Sequence, residues 1–344
     1  MLITDDEAIK NMISEQDAFS REDESDDKEF YKIPRIVEHL DDNARSKVSE
    51  LLGSLIVEEK PKILDLMAAV SSHLPDEVKT EELVGLGLNE DELKANDRLD
   101  RYIIHDLNLD KILPFEDNYF DVVLNTVSVQ YITDPYRIFA EVGRILKPGG
   151  VFIVIFSNRS FETKSTKVWE LLTEKERIKM VKMFFHDSGN FKKTESFISM
   201  GKPRSKEDKY YESGIPSDPI YAVFAEKTGG AEKNTQRTVP REDVLLPSNK
   251  ELDRRKSKVS QTMKCPYCME DLHKWHITDN PMTTWDHDLY ICINDACPYL
   301  IRGWREMYNQ GNRGLGYRLV YDKVKDSFVT IPVPNLNAIK NSVD

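Results

Sequence analysis

Residues 115–158 (FEDNYFDVVLNTVSVQYITDPYRIFAEVGRILKPGGVFIVIFSN) constrain the fold more than any other part of the chain. Two short apolar runs, 120–126 and 151–157, are rich in Val, Ile and Phe and read as buried strands. Between them Ile138, Phe139, Val142, Ile145 and Leu146 recur at helical spacing, so 135–146 is predicted to be an amphipathic helix. Asp134 precedes Pro135, an N-cap followed by proline at the first helical position. Lys147-Pro148-Gly149-Gly150 then supplies a cation, a stop and residues that permit a sharp reversal. Strand, helix and strand in this order form a right-handed parallel crossover, the unit of an open α/β sheet.

A chain of 344 residues has room for one large and one small domain. Its apolar fraction of 40% supports real cores, while 31% charged residues and a net charge of −12 predict a soluble protein without general attraction for nucleic acid. No run approaches the roughly 20 apolar residues that span a bilayer, and the acidic start MLITDDEAIK is unlike a secretory leader. A cytoplasmic location with no membrane partner is expected. All four cysteines fall between 265 and 297, which points to a metal rather than disulfides, in a reducing compartment.

Residues 1–27 are dominated by acids and are expected to form a solvated, disordered lead-in. Residues 28–228 form the α/β domain. Within it, 30–56 place Ile36, Val37, His39, Leu40, Val48, Leu51 and Leu52 on helical faces, and strands are predicted at 62–67 and 83–88. Residues 166–185 read as an amphipathic cover through Trp169, Leu171, Leu172, Ile178 and Met183, and 191–199 with 218–227 as a closing strand pair. Residues 229–262 are polar and read as a linker, ahead of a small domain at 263–344.

FDVV, the DP-led helix and LKPGG resemble the fourth and fifth strands of class I, S-adenosylmethionine-dependent methyltransferases. FYKIPRIVEHLDD, LDLMAAVSSHLP, GLGLNEDEL, HDLNLDKILPFEDNYFDVV, SVQYITDP and SNRSFETK together resemble a branch of the methyltransferase type 11 group. That branch has an SHLP-type segment where its relatives have a glycine-rich loop, and the likeness covers residues 28–226. The resemblance implies an α/β fold with a Rossmann-like seven-stranded sheet. It also implies S-adenosyl-L-methionine at the carboxyl edge, held by Asp65, Met67, Ser72, His73, Asn89, Glu90, Asp106, Leu107 and Asn125. Asp106 falls where relatives place an acid for the adenine amino group; a turn-capping aspartate is the alternative. Two marks depart from the family pattern. Residues 65–75 contain no glycine, and Gly87 stands where an acid usually grips the ribose, leaving Asn89 and Glu90 as its substitutes. His73 and His105 are candidates for proton transfer, with structural hydrogen bonding as the alternative. Tyr131 is a candidate for substrate contact or for wall packing.

Cys265 and Cys268 form a C-x2-C pair, followed after 23 residues by the C-x4-C pair Cys292 and Cys297. Two such pairs converge as four thiolates on one tetrahedral Zn2+, and a closed set makes that zinc structural. His273, His276 and His287 between the pairs are the reserve ligands. The pattern resembles the Ogr/Delta-type zinc finger of phage transcription activators, which implies nucleic acid or the transcription machinery as a partner. Arg302, Trp304, Arg305, Arg313 and Arg318 would serve such contacts, while Asp279, Asp286, Asp288 and Asp295 oppose a polyanion, so a protein partner is favoured. The leading expectation is a methyltransferase whose zinc ribbon docks a substrate or partner. The alternative is a non-catalytic binding or regulatory protein with the methyltransferase fold, acting in transcription.

Overall fold

The computed structural model describes residues 5–230, 237, 246–277, 285, 287–310, 312 and 315–344. The chain forms two compact units: residues 1–40, 44–198 and 220–240 make the first, and 41–43, 199–219 and 241–344 the second.

In chain order the first unit carries α1 (Asp5–Ile13), α2 (Asp27–Phe30), α3 (Asp42–Leu55, whose first two residues belong to the second unit), β1 (Lys62–Leu66) and β2 (Glu82–Gly87). Then follow α4 (Glu90–Ala95), β3 (Arg101–Ile104), β4 (Phe120–Thr126), α5 (Pro135–Ile145), β5 (Leu146–Phe156), α6 (Lys167–Leu171), α7 (Glu174–Asp187), β6 (Glu195–Ser199) and β7 (Ile220–Glu226). The sheet has seven strands in the order β3-β2-β1-β4-β5-β7-β6. β1 to β5 pair in parallel and β7 lies antiparallel on β5. Asp134 caps α5 by accepting from Arg137 N–H at 3.1 Å, ahead of Pro135, as its sequence predicts. One face of the sheet buries Val48, Leu51, Leu52 and Leu55 of α3 against Ile63, Val122 and Ile153. Phe139, Phe152, Phe184 and Phe185 form an aromatic cluster, with ring centroids 5.0 to 5.5 Å apart in the close pairs.

The strands form near their expected places, with two exceptions. β5 already begins at Leu146 and takes in Lys147-Pro148-Gly149-Gly150, read above as a stop and reversal, and β6 begins only at Glu195. Three other segments also depart from expectation. The acidic lead-in is ordered over its described residues: Ile9 and Ala18 are buried, Phe19 packs on Tyr136 and Phe184, and Asp6 pairs with Lys179 at 2.9 Å. Its few apolar residues recur at helical spacing, enough to dock a short helix on α7. Residues 31–41 are not helical, because Pro34 interrupts the run, and Ile36 and Val37 are more than half exposed. The cover at 166–185 breaks at Leu172 into α6 and α7, where Thr173 and Glu176 form a capping box; Leu171 is 60% exposed.

The second unit carries α8 (Asn249–Lys256), α9 (Val259–Thr262), β8 (His273–Trp275), β9 (Leu289–Ile291), α10 (Pro298–Asn309), β10 (Gly316–Asp322) and β11 (Ser327–Val333). Its four strands run in the order β11-β10-β9-β8, all antiparallel. The stretch expected as a linker therefore contributes two helices, and Val259 is buried in this unit's core. Residues 231–236 and 238–245 of that stretch lie outside the described residues. The turn expected between the closing strands also belongs to this unit. Arg204 there pairs with Asp218 at 2.7 Å and with Asp41 at 3.3 Å, all three buried.

Candidate active site and thiolate cluster

The strand order reverses between β1 and β4, so the loops leaving their carboxyl ends diverge and open a crevice. A cavity of about 370 Å³ lies there, a size suited to a small molecule or cofactor. Asp65 and residues 67–71 line it after β1, residues 87–89 after β2, residues 105–108 after β3 and residues 126–128 after β4. The β1 loop keeps an unusual backbone without glycine: Met67 and His73 take φ of 61° and 55°. Val127, after β4, has φ 47°, which is strained for a β-branched residue. Asn96 Nδ2 holds the loop in place by donating to Ala69 O at 3.1 Å and Ser72 Oγ at 3.0 Å.

Of the expected cofactor residues, Asp65, Met67, His73, Asn89, Asp106 and Leu107 line the cavity. Ser72 and Asn125 are buried but outside the lining; Asn125 Nδ2 donates to Leu66 O at 3.2 Å. Asn89 and Glu90 are already engaged. Asn89 caps α4 and donates to Tyr31 O at 2.7 Å, while Glu90 lies outside the lining and accepts from Tyr102 and Lys94. Asp106 lines the cavity, and its Oδ1 caps the turn at Asn108 and Leu109, the alternative role read from its sequence.

Burial pushes the Asp65 carboxyl up to about 7, against a lowering hydrogen bond from Ser72. Its Oδ2 is buried without a partner, as are Asn125 Oδ1, Thr126 Oγ1 and Ser128 Oγ. Of these, Asp65, Thr126 and Ser128 line the cavity at the ends of β1 and β4, and unmet polar atoms there fit a ligand that brings hydrogen-bonding groups. His73 also lines the cavity, and burial lowers its pKa below the usual imidazole value, with nearby Glu38 opposing the shift. His105 lines it too, with Nε2 2.8 Å from Asp110 O. Burial raises the Tyr131 phenol to about 12, and its oxygen accepts from Phe161 N–H at 2.8 Å.

Sequence reasoning named none of the residues of one wall of this cavity as site residues. Asp27, Tyr31, Arg35, Glu38 and His39 come from the segment beside the lead-in, and Arg159 and Phe161 from the loop after β5. Asp27 anchors that segment through Arg21 at 2.8 Å, Lys164 at 3.1 Å and Asn108 Nδ2 at 2.9 Å. Burial raises its pKa, but the hydrogen bonds from Arg21 and Asn108 outweigh it and hold the carboxyl below its usual range. Glu92, one helical turn into α4, is the buried acid on the β2 side and accepts from Arg35 N–H at 2.6 Å. The signal available for it was its place in the first turn of a helix opening at the end of β2.

In the second unit the Sγ atoms of Cys265, Cys268, Cys292 and Cys297 all lie within 4.8 Å of one another. Two pairs measure 3.9 Å (Cys265–Cys297) and 3.6 Å (Cys268–Cys292). Thiolates about 2.3 Å from one tetrahedral zinc stand about 3.8 Å apart, so the cluster matches that ligand set. The three reserve histidines are engaged elsewhere: His273 with Asp344 O, His276 with Asp288 and Asp344, and His287 with Asp322. Three of the residues expected to make such contacts downstream are engaged within the unit. Arg318 is buried and donates to Asp295 and to the Cys292 and Leu336 carbonyls. Trp304 is buried, and Arg302 pairs with Glu306 at 3.2 Å. Arg313, Asp279 and Asp286 lie outside the described residues.

Residues 68–154 match the methyltransferase domain family. The chain is similar to the ubiquinone/menaquinone biosynthesis C-methyltransferase of Shewanella sp. (strain ANA-3), 28% identical over 151 residues covering 40% of this chain and 59% of that protein. Its counterpart from Francisella tularensis subsp. holarctica (strain FTNF002-00 / FTA) is 26% identical over 119 residues, 34% of this chain and 46% of that one. The chain thus spans about half to three-fifths of these curated relatives. Among solved structures, a chain from the complex of the Haloferax volcanii Trm112 methyltransferase activator with a methyltransferase has a TM-score of 0.41 and 17% identity, covering 60% of this chain and 95% of that one. Haemonchus contortus phosphoethanolamine N-methyltransferase 2 with S-adenosyl-L-methionine has a TM-score of 0.38 and 16% identity, covering 54% and 52%. The strand order and pairing of the first unit are themselves those of the class I methyltransferase fold. No helix among the described residues is long and apolar enough to cross a membrane.

Proposed function

We propose that this chain is an S-adenosylmethionine-dependent methyltransferase. The observation that carries the reading is the cavity at the β1/β4 switch point, with orphaned Asp65 Oδ2 at its edge, in a stretch that matches the methyltransferase domain family. Asp65, Met67, His73, Glu92, Asp106 and Leu107 would hold the cofactor, which supplies an electrophilic methyl on a sulfonium. The protein's own part is alignment and exclusion of water. Burial lowers the pKa of the His73 and His39 imidazoles and so favours their neutral form, the form able to accept a proton released by a methylated acceptor. Calorimetric titration of S-adenosyl-L-methionine tests the reading: heat with one site per chain supports it, and neither heat nor thermal stabilisation at millimolar cofactor defeats it.

The four cysteines are proposed to hold one structural zinc, since a complete thiolate set leaves no open position for a reacting water. The unit around them is proposed to dock a protein rather than nucleic acid, because Arg318 and Trp304 are buried and Arg302 is paired. Binding that weakens steeply with salt would reverse that choice.

A second reading is a non-catalytic protein of the same fold, favoured by one observation. A Cβ on Gly87 would meet Ala68 O at 2.5 Å, so no ribose-gripping acid can occupy that position.

A further inference from the structure

The wall made by residues 27–39 and 159–161 contributes none of the side chains assigned above to the methyl donor, yet it lines the same cavity. Its acids are engaged: Asp27 with Arg21 and Lys164, and Glu38 with Arg45 at 3.2 Å. Arg35 differs. Its guanidinium carbon lies 4.8 Å from the ring centre of Phe30, 4.9 Å from that of Phe161 and 5.5 Å from that of Tyr31. The rings fix the orientation of the group and shield it from water. Nη2 donates to Phe30 O at 3.3 Å, and Nη1 is buried with no hydrogen-bond partner. Among the described residues the guanidinium has no carboxylate within ion-pair distance. Arg35 is half-buried, its shielded Nη1 leaves a donor unmet, and a planar fork in an aromatic frame is matched best by a planar or tetrahedral oxyanion.

We propose that the methyl acceptor carries an oxyanion, a carboxylate or a phosphate monoester, that binds the Arg35 guanidinium. This rests on the methyltransferase reading only in naming the bound molecule as the acceptor. Tyr31 and Phe161 then flank the organic part of the same molecule.

The test titrates the full chain, saturated with S-adenosylhomocysteine, with benzoate, phenyl phosphate and uncharged benzamide. At least one anion should bind tenfold or more tightly than benzamide, and which one does so tells carboxylate from phosphate. Arg35→Met should remove the preference while leaving cofactor affinity within twofold. Arg35→Lys keeps the charge over the rings and loses the fork; it should weaken the favoured anion several-fold, and it carries the test if the methionine variant does not fold. Equal binding of benzamide, an anion preference that survives both substitutions, or no anion binding at tens of millimolar overturns the inference. If the cofactor binds and no Arg35-dependent preference exists, the inference alone fails. If the anion binds through Arg35 to cofactor-free chain and S-adenosyl-L-methionine does not bind, the enzyme reading alone fails.

Discussion

The backbone oxygen of Ala68 stands 2.5 Å from the place a Cβ on Gly87 would occupy. Ala68 N–H donates to Leu86 O at 2.8 Å, and Gly87 O accepts from His105 N–H at 3.0 Å. The loop after β1 is thus folded onto the end of β2, where side-chain volume is excluded. Gly87→Asp, which would restore the residue type the family resemblance leads one to expect, should instead destabilise the first unit by about 1–3 kcal/mol through overpacking. Urea unfolding checks this, and a Gly87→Asp protein as stable as the parent would show that the loop yields freely.

With that position closed, the acid on the β2 side is Glu92, which is 7% exposed and faces the cavity. Glu92→Gln should weaken S-adenosyl-L-methionine by about tenfold, the scale of one charge-assisted hydrogen bond. Glu90→Gln should change it less than about twofold, because Glu90 lies outside the lining and faces Lys94 and Tyr102. Equal effects in calorimetry would refute the assignment.

Burial holds the Asp65 carboxyl at about 7, against an ordinary 3.8. The folded chain therefore binds this proton more tightly than the unfolded chain does. The associated stability is fully present below about pH 4 and is lost as pH rises through about 7. The stability difference between wild type and Asp65→Asn, followed by urea unfolding from about pH 4.5 to pH 8, should shift against the wild type with rising pH. A difference independent of pH would mean that the group stays ionised in the fold.

Metal analysis of protein purified without chelator should find one zinc per chain, given the four converging cysteine sulfurs. Cys292→Ser should release it and loosen the second unit, whose folding leans on a metal term on the order of 10 kcal/mol, while the first unit's sheet persists. Retention of full zinc by the serine variant would count against the ligand set.

Arg318 has no exposed side chain and pairs with Asp295 at 2.5 Å. Arg318→Ala should destabilise the second unit by about 1–3 kcal/mol, the cost of leaving the Cys292 and Leu336 carbonyls without their donor, since Asp295 keeps Lys340. A variant of normal stability with impaired partner binding would restore the surface role that the sequence suggested for this arginine.

The core of the sheet was legible because its signals are local. Asp134-Pro135, the helical spacing and the flanking Val/Ile runs each act within a few residues, and β4 and α5 form where they point, while β5 extends back over 146–150, where a stop was expected. The cavity wall was not legible in the same way. Asp27 is held by Arg21, Asn108 and Lys164, and no periodicity within an acidic stretch reports partners so far along the chain. Pro34 was the local signal against a continuous helix at 30–56, and the apolar spacing around it concealed that break.

By itself, then, the sequence determined the parallel strand–helix–strand core and the set of four thiolates, because spacing and donor chemistry are properties of neighbouring residues. Only the tertiary structure decided that Gly87 leaves no room for an acid, that Glu92 rather than Glu90 faces the cavity, that Arg35 sits among three rings and that Arg318 is buried. Each of those outcomes depends on steric exclusion or desolvation by segments distant in sequence, and such contacts come into being only when the chain is packed.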